Sequence, residues 1–186
     1  MIGGHYATAL VPYTRLERKT PLWLLLSAAM LVDFLLITLV VTGVETMAPD
    51  GNVPPDMRFS HDLLPVLGLA AVVGLTVWAV TRRRAIAIWV VALILLHELA
   101  DVFSGYQHNV NGPDSQAFGL NNYMTNPTQA LGIEALLIVI CLAYYQWHER
   151  RAGRSFATWK TMALFFILMA PTTLVFGPQI FGLPAG

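Results

Sequence analysis

The chain has 186 residues, of which 56% are hydrophobic and only 12% are charged, and its formal net charge is zero. Water-soluble domains carry about 25% charged residues, so this composition excludes an ordinary soluble domain and favours an integral membrane protein. The length suits one domain, and we expect residues 1–186 to form a single integral membrane domain.

The chain starts with a short apolar segment, residues 3–13, followed by the basic residues Arg15, Arg18 and Lys19. A transmembrane helix needs about 20 residues, so this segment is too short to cross the bilayer. A re-entrant or half-inserted helix fits it, and such segments are tolerated only when they are buried against protein. A helix rising from Arg15 carries His5 about 15 Å into the membrane.

Five long apolar runs follow this segment. They cover residues 21–44, 62–80, 85–103, 128–147 and 156–176. Each approaches or exceeds the length needed to span about 30 Å of hydrocarbon as a helix, and the first is too long for the apolar part of a signal peptide. The predicted fold class is therefore all-α: a polytopic membrane helical bundle of about five transmembrane helices plus the N-terminal re-entrant or half-inserted helix.

The basic residues predict the orientation of these spans. If the spans alternate in direction, every cluster falls on one side, and only Arg58 falls on the other. By the positive-inside rule the basic side is cytoplasmic, so the N-terminal basic cluster faces the cytoplasm and the C-terminus faces outward. These clusters are topology signals, and we expect no nucleic-acid partner. The clusters are Arg15, Arg18 and Lys19; Arg82, Arg83 and Arg84; and Arg150, Arg151, Arg154 and Lys160.

Ionisable side chains in or beside the spans are the main functional signal. Such groups are costly in a membrane and mark functional sites by default. At about 1.5 Å per residue, Asp33 and His97 lie about 18 Å from the cytoplasmic ends of their spans, and Asp101 lies about 24 Å away. The whole set is expected in one layer, in the outer half of the membrane. It comprises His5, Asp33, His61, Asp62, His97, Glu98, Asp101 and Glu134.

The third span carries the sharpest local pattern, His97-Glu98-Leu99-Ala100-Asp101, followed by His108. Spacings of four and eleven residues place His97, Asp101 and, if the helix continues, His108 on one helical face. Histidine and aspartate one turn apart can bind one cation, or one can orient the other. A hydrogen bond between helices is the alternative. Glu98 points about 100° away and serves a different partner.

A second pattern, Arg58-Phe59-Ser60-His61-Asp62, directly precedes the second span. A helix start explains two of its residues, with Ser60 as the N-cap and Asp62 at the positive end of the helix dipole. It does not require His61 or Arg58. Arg58 is suited to binding a phosphate or carboxylate, and it is equally suited to pairing with Asp56 or Asp62.

The order of these elements resembles a known family. An early histidine, an aspartate in the first long span, an R-x-S-H element and an H-x-x-x-D element occur at His5, Asp33, Arg58–His61 and His97 with Asp101. Over residues 1–110 this order resembles the predicted membrane-bound metal-dependent hydrolases, small multi-pass proteins of bacteria. It is also similar to the zinc-dependent phospholipase C and single-strand nuclease superfamily, whose all-helical members bind a zinc cluster through histidines and aspartates for phosphodiester cleavage.

This resemblance implies metal ligands at matching positions of this chain. They are His5, Asp33, His61, His97 and Asp101, with His108 as a sixth candidate. The superfamily has a second downstream H-x-x-x-D, where this chain offers only Glu134, so one or two ions are expected rather than three. Mixed imidazole and carboxylate ligands suit zinc or another divalent transition metal. The family also implies the bacterial inner membrane.

The sequence leads to one main hypothesis and two alternatives. The main one is a metal-dependent hydrolase that acts on a phosphoester of a membrane lipid or a lipid-like substrate, with Arg58 holding the anion and Glu134 or Asp62 handling the proton. The first alternative is a non-enzymatic accessory or metal/haem-binding subunit of a larger membrane complex. The second is transport or proton relay through the acidic residues of the spans.

Overall fold

The computed structural model describes residues 1–17, 20–46, 56–154 and 157–181, with the backbone alone for 175–181. Within these ranges the protein is mostly helical, as predicted. A short antiparallel pair, β1 (His108–Asn109) and β2 (Ala117–Phe118), lies between α6 and α7 in the chain. The helices are α1 (Ile2–Thr8), α2 (Leu10–Arg15), α3 (Leu22–Ala29), α4 (Leu31–Val41), α5 (Leu63–Thr81), α6 (Arg84–Ser104), α7 (Asn122–Thr125), α8 (Pro127–Arg151) and α9 (Thr158–Phe181).

Among the described residues, three helices are long and apolar enough to cross a membrane, namely α5, α6 and α8. The pair formed by α3 and α4 is a fourth candidate if it counts as one span. The fifth predicted span corresponds to α9, although the first residue predicted for it, Phe156, lies outside the described residues, as do Arg18 and Lys19 of the predicted basic cluster. Large apolar side chains are exposed on these helices, with Val41 at 81% and Val80 at 80%. A surface of this kind suits lipid surroundings.

The first predicted span is not one continuous helix. It breaks at Met30, and the axes of α3 and α4 differ by 59°. In an uninterrupted helix the Ala29 carbonyl accepts the N–H of Asp33, but here it lies 2.7 Å from Nδ1 of His97. Insertion of a side chain into the helical hydrogen-bond ladder is a recognised cause of sharp kinks. The break therefore supports His97 and sets the direction in which α4 presents Asp33.

The short helix α1 is buried against α6, α8 and α9. At Gly3 the backbones of α1 and α9 lie too close for a side chain, since a Cβ added to Gly3 would lie 1.8 Å from the Leu168 carbonyl oxygen. Glu134 Oε1 of α8 accepts hydrogen bonds from the backbone N–H of Gly3 at 2.8 Å and of Gly4 at 3.0 Å. The same oxygen accepts the Thr172 hydroxyl of α9 at 2.8 Å. One buried carboxylate thus joins three helices and holds α1 in place.

The polar segment after α6 folds back over the start of α5. Helix α6 ends at Ser104, close to the predicted end of the third span, so the helix does not continue to His108. Asp62 accepts hydrogen bonds from the backbone N–H of Asn109, at 3.0 Å, and of Gly112. Asp62 is also the N-cap of α5, although its side chain makes no capping bond, so the interpretation that Ser60 takes this position is wrong. These contacts bring His108 toward the end of α6 that carries Asp101.

Candidate metal centre

Four side chains from three parts of the chain meet in one group: Asp33 of α4, His61 before α5, and His97 and Asp101 of α6. One ligand atom from each lies within 4.8 Å of all the others, and the group could hold a metal ion. His97 Nε2 lies 3.6 Å from Asp33 Oδ1 and 3.5 Å from Asp101 Oδ2. His61 Nε2 lies 3.5 Å and 3.9 Å from the same two oxygens.

These separations suit ligands that share one ion better than direct hydrogen bonds. An N–H···O hydrogen bond spans about 2.7–3.2 Å, and all four distances are longer. Zinc binds imidazole nitrogen and carboxylate oxygen at about 2.0–2.2 Å in tetrahedral sites, which places neighbouring ligand atoms about 3.3–3.6 Å apart. Three of the four distances, at 3.5, 3.5 and 3.6 Å, fall in this range.

The ring of His97 is oriented by the break in the first span. The Ala29 carbonyl can only accept, so Nδ1 of His97 carries the proton and donates across 2.7 Å. Nε2 of the neutral ring is then bare, that is, unprotonated and with a lone pair that can only accept. It is buried, and no hydrogen-bond donor reaches it from the part of the chain that the structure describes. A hydrogen bond that fixes one ring nitrogen and leaves the other bare is typical of metal-binding histidines.

A hydrogen-bonded chain orients His61 in the same way. Ser60 Oγ donates to Glu45 Oε2 at 2.8 Å, because a carboxylate can only accept. The hydroxyl oxygen must then accept from His61 Nδ1, which lies 2.9 Å away. His61 Nε2 is therefore also bare, and it points at Asp33 and Asp101. Two bare nitrogens and two carboxylates face one another in a largely buried group, an arrangement that a shared cation stabilises.

His5 lies beside this group and not within it. Its Nε2 is 3.2 Å from Oδ1 of Asp101, the oxygen that faces away from His61 and His97. The Met1 amino nitrogen lies 3.1 Å from the same oxygen, and the rings of His5 and His97 stack with their centroids 3.6 Å apart. The structure therefore places His5 next to Asp101 Oδ1, the carboxylate oxygen of Asp101 that does not contact His61 or His97.

His108 also lies beside the group, by a route that the sequence did not predict. Its Nδ1 is 2.9 Å from the His61 carbonyl oxygen and 2.9 Å from Glu98 Oε1. Glu98 therefore does serve a different partner from Asp101. Burial lowers the pKa of His108, but the hydrogen bond and charge of Glu98, together with Asp101 and the His61 carbonyl, hold this pKa above its ordinary value. His108 supports the backbone at His61 from a strand and shares no helical face with His97.

The residues predicted to have catalytic roles are engaged elsewhere. Arg58 is 43% exposed and forms a two-pronged ion pair with Asp56, with bonds of 3.2 and 2.7 Å. The hydrogen bond from Arg58 lowers the pKa of Asp56 below its ordinary value. Asp62 anchors the segment after α6, and Glu134 anchors α1. Of the two pairings considered for Arg58, the structure has the one with Asp56.

Glu45 is the site residue that the sequence did not reveal. It follows α4, is buried, and accepts the backbone N–H groups of Phe59 and Ser60 at 2.7 and 2.9 Å. It lies 15 residues before Ser60 in a connecting segment, where helical periodicity gives no signal. The one available signal was an acidic residue directly after an apolar run.

Comparison of this chain with protein-family models, curated proteins and solved structures found no match. The resemblance to membrane-bound metal-dependent hydrolases therefore rests on the motifs of the chain itself and stays a prediction.

Proposed function

We propose that this protein is a membrane-embedded metal-dependent hydrolase that cleaves a phosphoester of a membrane lipid or a lipid-like amphiphile. The observation that carries the proposal is the convergence of two bare imidazole nitrogens and two carboxylates within 4.8 Å. Two imidazoles and two carboxylates suit zinc or another divalent transition metal. The two negative charges of Asp33 and Asp101 balance the charge of one such ion.

The ligand set favours hydrolysis over haem binding. A catalytic zinc needs a coordination position for water, so an ion held by these four side chains would need a further position open to solvent. With it, the bound ion would supply a water of lowered pKa and polarise a phosphoryl oxygen. A haem group needs flat space for the porphyrin around its axial histidines. The Asp33 and Asp101 carboxylates lie 3.5–3.9 Å from the Nε2 atoms of His61 and His97, so they occupy that space.

Exposure indicates how a substrate would approach. The Asp33 side chain is 21% exposed, whereas those of His61, His97 and Asp101 are at most 7% exposed. A substrate would therefore enter on the Asp33 side, where α4 diverges from the bundle. The Asp33 oxygen that does not face the histidines is the group best placed to take a proton. Arg58 would hold a phosphate only after leaving Asp56.

The depth of the site supports a substrate that lives in the membrane. His97 lies 13 residues after Arg84, or about 20 Å along α6. The group therefore lies toward the Ser104 end of α6, away from Arg82–Arg84 at the turn between α5 and α6. We place that turn in the cytoplasm by the positive-inside rule. With about five spans in a bacterial inner membrane, and α1 half-inserted, the site lies in the outer half of the bilayer.

Metal content and hydrolysis, measured on the same preparations, test this proposal. Detergent-purified protein supplied with zinc should retain close to one ion or more per chain by mass spectrometry, and His97→Ala should lose it. His148→Ala is the matched control, because His148 lies near the end of α8 and outside the group. Metal-dependent release of phosphate or headgroup from a phospholipid panel should follow the same pattern. Wild-type protein without metal, or metal retained equally by both variants, would refute the proposal.

A further inference from the structure

The side chains of Glu45, Ser60 and His61 form a buried chain of hydrogen bonds that ends at the candidate metal centre. Ser60 and His61 are adjacent, whereas Glu45 comes from the segment after α4. All three are at most 3% exposed. Glu45 Oε1 accepts the backbone N–H groups of Phe59 and Ser60, and Oε2 accepts the Ser60 hydroxyl. The carboxylate thus uses its two oxygens for two separate tasks.

We infer that Glu45 is a positioning residue that sets which nitrogen of His61 is free to bind a metal ion. A carboxylate cannot donate, so the Ser60 hydroxyl proton must point to Glu45. The hydroxyl oxygen, 2.9 Å from His61 Nδ1, can then only accept the ring proton. His61 is held with its proton on Nδ1 and its lone pair on Nε2, the atom that faces Asp33 and Asp101. The metal-binding part of this inference rests on the proposed function.

The direction of this chain depends on the chemistry of residue 45 more than on its shape. In Glu45→Gln, the amide oxygen is needed by two backbone N–H groups, the part-buried one of Phe59 and the buried one of Ser60. The amide NH₂ then faces Ser60 Oγ and donates to it. The hydroxyl proton then turns toward His61 Nδ1 at 2.9 Å, since the other acceptor within reach, the Met57 carbonyl oxygen, is farther away at 3.5 Å. The ring proton moves to Nε2. An isosteric change two residues away along the hydrogen-bond chain would thus block the nitrogen that faces the metal position.

Removal of the Ser60 hydroxyl distinguishes this relay from simple structural support. Ser60→Ala loses the link but imposes no proton on Nδ1, so His61 can still present Nε2. In the double variant Glu45→Gln/Ser60→Ala, the amide introduced at position 45 has no hydroxyl through which to act. The double variant should therefore bind metal as well as Ser60→Ala alone. If Glu45 only braces the turn, the two losses should add.

The first measurement is zinc affinity, by competition with a chromogenic chelator. Removal of a group that orients a metal-binding histidine costs about 10–100-fold in affinity. We expect Glu45→Gln to lose an amount in this range, Ser60→Ala about tenfold, and the double variant to match Ser60→Ala within about twofold. Asp56→Asn is the control: it makes the same carboxylate-to-amide change in the same segment, at an exposed ion pair with Arg58. It should match wild type.

The second measurement reports on the ring without a metal. ¹⁵N NMR of histidine-labelled, metal-free protein in alkaline buffer identifies the protonated nitrogen, and His61→Gln assigns the signal. We expect the proton on Nδ1 in wild type and on Nε2 in Glu45→Gln. The same tautomer in both, or additive affinity losses, would overturn the inference. A tautomer switch in a protein that binds no zinc would leave the relay standing and refute the proposed function alone.

Discussion

Removal of the Glu134 carboxylate should release α1 from the bundle. Glu134 is fully buried, and its Oε1 accepts from Gly3, Gly4 and Thr172. The Gly3 and Gly4 N–H groups belong to the first turn of α1, where no helical carbonyl can serve them. In Glu134→Ala both N–H groups lose their acceptor. Because α1 carries His5, this loss also affects the surroundings of Asp101.

The size of the effect follows from these contacts. A buried donor left without a partner costs about 1–3 kcal/mol, so the two backbone groups together give a loss of about 2–6 kcal/mol in the free energy of unfolding for Glu134→Ala. Glu134→Gln keeps an acceptor oxygen and should lose less, about 1–2 kcal/mol. Thr172→Val removes one hydroxyl donor from the same carboxylate and should lose about 0.6–2 kcal/mol, as for single hydrogen bonds between membrane helices.

Unfolding of the detergent-purified protein, followed by circular dichroism in denaturant, measures these losses. Glu134→Ala should be the least stable variant, and Glu134→Gln and Thr172→Val should fall between it and wild type. Gly132→Ala, at a position on α8 where an added Cβ meets nothing within 4 Å, is the control for a change on the same helix. If Glu134→Ala were as stable as wild type, the role of this carboxylate in holding α1 would be refuted.

Three further predictions concern helix packing, the segment after α6 and the metal. Gly74→Ala should destabilise the protein by about 1–2 kcal/mol, because its Cβ would lie 2.3 Å from a methyl of Val91. A Cβ added at Gly68, on the same helix, meets nothing within 4 Å, so Gly68→Ala should stabilise the protein by about 0.5–1 kcal/mol. If both substitutions changed stability equally, the close packing of Gly74 against Val91 would be contradicted. Asp62→Ala should speed amide hydrogen exchange in residues 108–112, and unchanged exchange would show that Asp62 does not hold this segment. A chelator should lower the unfolding midpoint and added zinc restore it, since ligand at a hundredfold excess over Kd stabilises by about 2.7 kcal/mol; a midpoint insensitive to both would count against a bound ion.

The helical architecture could be predicted because apolar runs of this length leave few alternatives. The break in the first run could not be predicted, since the run has no proline or glycine at that point. At the break, the Ala29 carbonyl accepts a hydrogen bond from His97, which lies 68 residues away. A long-range contact of this kind has no local sequence signal.

The candidate site could be predicted where its residues are ionisable groups that are costly to bury in a membrane. Asp33, His97 and Asp101 are ionisable groups within apolar runs, so their grouping could be expected from the free energy needed to bury them. His108 and Glu45 could not be placed correctly, because both lie in connecting segments whose path is set by tertiary hydrogen bonds. Arg58 was ambiguous in the sequence, and its pairing with Asp56 is a local contact between exposed residues.

The most direct test of the central claim is the zinc K-edge X-ray absorption spectrum of zinc-loaded protein. Coordination by Asp33, His61, His97 and Asp101 predicts a first shell of nitrogen and oxygen at about 2.0–2.2 Å, with outer-shell scattering from two imidazole rings. His61→Ala should reduce the imidazole contribution to one ring or abolish binding. A shell containing sulfur, a shell with no imidazole signature, or a spectrum unchanged in His61→Ala would contradict the assignment of this centre.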